Sequence, residues 1–246
     1  MAASQSLAVV VPMANESATA AQFLRGLLDQ IDHLPQLVVF VVLDNASNDG
    51  TLEIVTEFAS REPRVNVVWA PENRSVVDAY MRGYREALAS NSDLILEIDA
   101  GFSHSPKEIS GFLQAMADGY DCAFGSRFVD GATMINSGWQ RYLTSKGGTI
   151  VTNLLIGTRL HDMTSGFQMF RRDALEKILS NRIRSRGPFF QTEMKIYARH
   201  MRICEIPISY HTTESMVRQS SISDAFSVLW ELFVLRMKGT LAPAKA

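Results

Sequence analysis

Four short apolar runs in this chain end in clusters of side chains able to do chemistry. They lead into Pro12-Met-Ala-Asn-Glu16, Asp44-Asn-Ala-Ser-Asn-Asp-Gly-Thr51, Asp99-Ala-Gly-Phe-Ser103 and Gly125-Ser-Arg127. A carboxylate directly at a strand end, as Asp44 would be, can accept hydrogen bonds from a base or a ribose. An arginine after Gly-Ser, as Arg127 is, suits an anion. Asp99 is a lone acid, with Gly101 two positions on where a second would complete a pair. Asp49 and Gly50 need no such role, because Asn-Asp-Gly makes a turn and Ser47 or Asp49 can cap a helix starting near Thr51.

The elements that must position these clusters alternate. Residues 7–11, 37–43, 65–69 and 94–98 are short β-branched or apolar runs. Residues 18–31 (Phe23, Leu24, Leu27, Leu28, Ile31), 51–59 and 76–89 have helical spacing. That alternation predicts an α/β fold, with a Rossmann-like, mostly parallel central sheet and helices on both faces. Ligands of open sheets sit outside the carboxyl ends of the strands, so the four clusters should share one site. Beyond residue 130 the pattern predicts helices over 139–156 and 189–198, and strands over 167–170 and 203–210. Pro207 marks the last strand as an edge.

Composition bounds the rest. The chain has 246 residues, 46% of them apolar, and no linker, which predicts a single domain over 1–222. An apolar helix over 225–238, within a 223–246 tail, would pack on the core, on a second subunit of a homo-oligomer, or in the plane of a membrane. A formal charge of -2 with interspersed signs argues against a nucleic-acid partner. Cys122 and Cys204 are far apart in apolar segments, which gives no disulfide framework. With no basic leader and no long apolar run, the expected location is cytoplasmic, with the cytoplasmic face of a membrane as an open partner surface.

The motifs resemble a known family. Pro12 to Glu16 resembles the PAYNE segment, Asp44 to Thr51 the DDGSTDGT segment, and Asp99-Ala-Gly the DAD segment of family 2 glycosyltransferases with the GT-A fold. Further motifs are similar to those of dolichol-phosphate mannose synthases and their bacterial polyprenol-phosphate relatives. They are Gly125-Ser-Arg127, Trp139-x-Arg141 before Ser145-Lys-Gly-Gly148, Asp162-Met-Thr-Ser-Gly-Phe167 with Arg171-Arg172, and Phe190-Gln-Thr-Glu193 before Glu205-Ile-Pro-Ile208.

The resemblance implies inverting transfer of one sugar from a GDP- or UDP-sugar to a polyprenyl or dolichyl phosphate. The nucleotide-binding half would end at about residue 127, with the acceptor half after it. Pro12, Ala14, Asn15 and Glu16 would line the nucleotide pocket, with Asp44 and Asn45 facing the base and Asp99 and Ala100 beside the diphosphate. Arg127, Lys146, Thr164, Ser165, Gly166 and Arg218 would meet the donor sugar and the acceptor phosphate. Asp99, Arg127 and Glu193 are the expected catalytic residues. In the relatives a second acid and a Gln complete a site for Mg²⁺ or Mn²⁺. Here Gly101 and Ser103 occupy those positions, which leaves Asp99 as the metal ligand and the metal an open question, with His104 as a substitute ligand.

A phosphate acceptor is ionised at neutral pH and needs no base, so Glu193 would orient other residues; a hydroxyl acceptor would need it as base. The other readings are a hydroxyl acceptor in polysaccharide or glycolipid synthesis, a catalytically silent nucleotide-binding protein, and a nucleotidyltransferase. The last lacks its Gly-rich basic loop after the first strand. The basic run Arg182, Arg184, Arg186 would be solvated or face anionic headgroups.

Overall fold

The computed structural model describes residues 5–135, 138–211 and 219–241. In chain order the elements are β1 (Leu7–Pro12), α1 (Ala20–Ile31), β2 (Leu37–Leu43), α2 (Thr51–Arg61), β3 (Val65–Trp69), α3 (Val76–Ala89) and β4 (Leu94–Glu97). A short 3-10 turn (Pro106–Glu108) leads into α4 (Ile109–Ala117), followed by β5 (Cys122–Ser126), β6 (Thr133–Ile135) and α5 (Trp139–Ile156). The chain continues through β7 (Gln168–Arg171), α6 (Arg172–Leu179), α7 (Phe190–Tyr197), β8 (Ile203–Pro207), β9 (Ser209–His211) and α8 (Gln219–Met237).

The main sheet has the order β3-β2-β1-β4-β7-β5-β8, and β6 pairs with β9 in a small second sheet. The period of two along β1 builds both layers: Leu7, Val9 and Val11 pack with α1 and α4, while Ala8 and Val10 pack with α3, α6 and α7. Burying a side chain such as Phe23 or Phe112 to zero exposure contributes about 1.5–3 kcal/mol each. Helix α3 starts where its pattern says, because the Ser75 hydroxyl accepts from the Asp78 N–H at 3.2 Å and Asp78 suits the positive helix end.

One reversal sets the site. Strand β7 runs antiparallel to both β4 and β5, so β5 points the same way as β1, β2 and β4. All four strands therefore release their polar clusters at one edge. The strand expected over 203–210 divides at Ile208. The Ile208 N–H donates to the Ser126 carbonyl, and its own carbonyl accepts from Thr133, so the chain leaves the main sheet and joins β6. Strand β8 is an edge, as Pro207 required.

The C-terminal helix begins at Gln219 rather than 225 and packs on the core through Val228, Leu229 and Leu232. No helix among the described residues is long and apolar enough to cross a membrane.

Candidate functional site

The loops after β1 and β2 are laced together. Asn15, in the left-handed region at φ 58°, donates from its amide to the Ala46 carbonyl at 2.9 Å and accepts from the Asn48 N–H at 3.0 Å. The Glu16 N–H donates to the Thr51 hydroxyl and the Ser17 N–H to Asp49. Asp49 is thus consumed in holding the loops, and hydrogen bonds from the Thr51 hydroxyl and then the Ser17 N–H lower its pKa. Asp44 follows β2 and turns one oxygen to the Ala46 N–H, while the Asn45 amide donates to the Pro71 carbonyl. Pro12 is half-buried at the end of β1, and Ala14 and Asn15 are exposed.

Asp99 and Ala100 follow β4 on the same edge. The Tyr80 hydroxyl donates to Asp99, which keeps a side chain 40% exposed toward the opening. Behind it lies His104, its Nδ1 3.7 Å from the Asp99 carboxylate, stacked between Phe167 and Tyr210 with ring centroids 5.3 Å away on each side. Burial brings the His104 pKa down to about 4, so the ring is neutral at physiological pH, and neither ring nitrogen has a hydrogen-bond partner.

Gly101 is more than a missing acid. Its backbone is left-handed at φ +80°, and a Cβ there would stand 2.7 Å from Glu16 Oε1. The Glu16 carboxylate therefore fills the space where the relatives' second acid would begin. Among the described residues no group of three His, Cys, Asp or Glu side chains could hold a metal ion. A hard divalent cation wants about six oxygen ligands, which Asp99 and substrate phosphates alone do not complete. These residues do not fit the relatives' cation site.

A second cluster on this edge centres on a buried ion pair. Arg127 and Asp162 are almost fully buried and meet through Nε at 2.7 Å, Nη2 at 2.8 Å and the Arg127 N–H at 3.0 Å. Burial pushes the Asp162 pKa up, but the Arg127 hydrogen bonds and charge outweigh it and hold the carboxyl well below its usual range. Arg127 also donates to the Thr164 hydroxyl, tying the end of β5 to the turn over 162–166. A Cβ at Gly166 would stand 2.2 Å from the Gln191 amide, so that side chain would have to give up its place. That amide donates to Glu97 at 2.7 Å, and the Tyr84 hydroxyl donates to the other Glu97 oxygen. Full burial, reinforced by the Asp99 charge, raises the Glu97 pKa well above normal.

Aromatic rings bring further cations to this side. The Arg127 and Arg141 guanidiniums lie 5.2 and 5.4 Å from the Tyr210 ring, and Lys146 lies 4.6 Å from the Phe128 ring. Ser165 is buried and Thr164 half-buried at the lip of the turn. Arg218 lies outside the described residues.

Glu193 is not in the cleft. Its carboxylate is wholly buried and accepts from the Arg184 and Ser185 N–H groups at 3.0–3.1 Å and from the Tyr197 hydroxyl at 3.0 Å. The carboxylate so held fixes the loop before α7, an arrangement that suits an orienting role. The basic run is also spoken for in part, because Arg184 pairs with Glu231 of α8 at 2.7 Å.

The model of glycosyl transferase family 2 matches residues 8–179. The chain belongs to this family. Among its similar proteins, the polyprenol monophosphomannose synthase of Mycolicibacterium smegmatis is 31% identical over 98% of this chain and 91% of that protein. The undecaprenyl-phosphate mannosyltransferase of Micrococcus luteus is 32% identical over 82% of each. Among solved structures, glucosyl-3-phosphoglycerate synthase from Mycobacterium tuberculosis, with Mn²⁺, UDP-glucose and phosphoglyceric acid, superposes with a TM-score of 0.68. It is 17% identical over 96% of this chain and 81% of that one, a likeness of fold. The same enzyme has been crystallised with Mg²⁺ and UDP. This family 2 glycosyltransferase therefore has the GT-A fold.

Sequence reading of this glycosyltransferase missed Tyr80, Tyr84, Glu97, Gln191, Lys195 and Tyr210. All six lie inside helices or strands where polar residues read as surface, and only their long-range partners give them a role. A signal was present in Glu97, a charged residue in the otherwise apolar run 94–98.

Proposed function

We propose that this glycosyltransferase makes one inverting transfer of a sugar from a nucleoside diphosphate sugar to a polyprenyl phosphate. The names of the similar mannosyltransferases support the acceptor class. The observation that carries the choice is the gathering of Arg127, Arg141 and Lys146 around Phe128 and Tyr210, beside the turn over 162–166, while Glu193 is withdrawn. Cations favour a phosphate, and a phosphate monoester with a second pKa near about 6 needs no base.

In this reading Asp44 and Asn45 receive the base, and Pro12, Ala14, Asn15 and Glu16 the ribose. Asp99 and Ala100 lie along the diphosphate, and Arg127, Lys146, Thr164, Ser165 and Gly166 meet the sugar and the acceptor. An acceptor phosphate oxygen attacks the anomeric carbon from the face opposite the leaving group. The C–O bond to the diphosphate breaks, and the nucleoside diphosphate departs with the electron pair. The fixed dipoles and cations lower the barrier by stabilising charge as it develops. The cytoplasmic face of a membrane would supply the acceptor.

A surface suits that supply. Trp139, Leu143 and Leu154 on α5 and Phe226, Trp230 and Met237 on α8 are exposed, and the two helices are joined by an Arg236 hydrogen bond to the Leu155 carbonyl. We assign this surface to the bilayer, because a bound lipid phosphate must lead its chain out beside α5, which carries Lys146 and an interfacial tryptophan. Co-sedimentation with anionic vesicles, lost in W230E and L154E, is expected. A dimer in solution that ignores vesicles would contradict it.

A thermal-shift panel of GDP, UDP and their sugars, with and without Mn²⁺, tests the reading. A ligand at about a hundred times its Kd stabilises by about 2.7 kcal/mol. No shift with any nucleotide would overturn it.

A further inference from the structure

Lys195 has a placement that neither packing nor ion pairing explains. It lies on α7 with zero exposure, and its ammonium donates to two backbone carbonyls, Asp162 at 3.1 Å and Ser165 at 2.8 Å, with the Phe124 ring 5.3 Å away. No carboxylate among the described residues comes within ion-pairing distance of it. A charge buried without a direct partner is costly, and such groups concentrate at functional sites.

What it supports is specific. Side chains also hold other backbone groups in and beside the turn over 162–166: Glu205 the His161 and Asp162 N–H groups, Thr149 the Met163 N–H, Asp162 the Thr164 N–H, and Thr192 the Met163 carbonyl. Lys195 takes the Asp162 and Ser165 carbonyls, which bracket Met163 and Thr164, so its charge lies against the backbone of the turn where the acceptor is expected.

We propose that Lys195 is a positioning and specificity residue for a phosphate acceptor: it clamps the turn over 162–166 and supplies fixed positive charge beneath the bound phosphate. This rests on the polyprenyl phosphate reading given above. Burial lowers the Lys195 pKa to about 8; Asp162, Glu205 and Glu97 oppose that fall, and Arg127 adds to it. Asp162 is paired with Arg127, Glu97 has its pKa raised by full burial, and Glu205 is bound to backbone N–H groups. An arriving phosphate is then a new negative charge facing the ammonium, so acceptor binding and Lys195 protonation favour one another. Raising the pH through about 8 should weaken the acceptor and leave the nucleotide alone.

The test compares the full wild-type chain with K195M and K195R. The readouts are KM and kcat for polyprenyl phosphate from pH 6.5 to about 9.5, and nucleotide Kd by thermal shift. Expected are a wild-type KM that climbs above about pH 8, a KM at least about tenfold higher in K195M at pH 7, and a flat KM for K195R across the range. Nucleotide Kd should stay within about twofold in all three. If K195M does not fold, K195R against wild type still decides. A wild-type KM without the alkaline rise, or one shared by K195R, overturns the proposal while transfer to lipid phosphate stands. Nucleotide binding with no transfer to lipid phosphate by wild type overturns the functional reading and this proposal with it.

Discussion

Replacing Asp162 by Asn keeps the shape of the side chain and removes its charge. The carboxylate is fully buried and receives three donors from Arg127, plus the Thr164 N–H at 3.0 Å. In D162N an NH₂ group faces those donors, and a guanidinium with a side chain 4% exposed loses its counter-charge. Breaking a buried pair from one side costs about 3–5 kcal/mol. At about 2–4 °C per kcal/mol for a chain of this size, the Tm should fall by about 6–20 °C. Replacing both partners, as in R127M/D162N, should recover much of that loss, for a coupling of at least about 2 kcal/mol.

The folded pKa of Asp162 is depressed, so its contribution is present above the unfolded value of about 3.9 and lost as pH falls through the folded value. The penalty of D162N should therefore shrink in acid. The assay is urea unfolding at pH 7 and near pH 3. A D162N loss below about 1 kcal/mol, or a double variant equal to the sum of the singles, refutes the reasoning.

Glu97 has the opposite sign: its folded pKa is raised, so its contribution is present at low pH and declines above about 4.5, and E97Q should lose less stability than wild type between pH 5 and about 8 in parallel denaturant titrations. G101D places a side chain at φ +80° against Glu16 and should cost about 1–2 kcal/mol by calorimetry. A G101D as stable as wild type that binds Mn²⁺ by electron paramagnetic resonance would show that the turn accepts the relatives' acid after all. E193Q should cost about 1–3 kcal/mol in stability because it turns a donor toward the Arg184 and Ser185 N–H groups, with kcat within about threefold of wild type at a temperature where both are folded. A kcat drop of about a hundredfold or more would restore Glu193 as a base.

Much of the scaffold was legible because it is local. The helix over 139–156 has the bounds its spacing implied, and the strand ends that carry Glu16, Asp44, Asp99 and Arg127 lie on one edge as alternating elements require. Long-range pairings were not legible. Nothing in the sequence sets Arg127 on Asp162, Gln191 on Glu97 or Lys195 beneath Ser165, because these partners lie 35, 94 and 30 residues apart. The surroundings of Glu193 were hidden for the same reason: helical periodicity cannot say that the loop carrying Arg184 and Ser185 folds back over it. At Gly101 the type of residue was informative, but only the structure adds that the Glu16 carboxylate occupies the vacated space.

Product analysis tests the central claim most directly. The full chain is incubated with a panel of labelled GDP- and UDP-sugars and vesicles containing polyprenyl phosphate, and the lipid product is examined by NMR for its linkage and anomeric configuration. The account predicts a single sugar joined through its anomeric carbon to the lipid phosphate, with configuration inverted relative to the donor. A sugar joined to a hydroxyl, a chain of several sugars, or a retained configuration would contradict it.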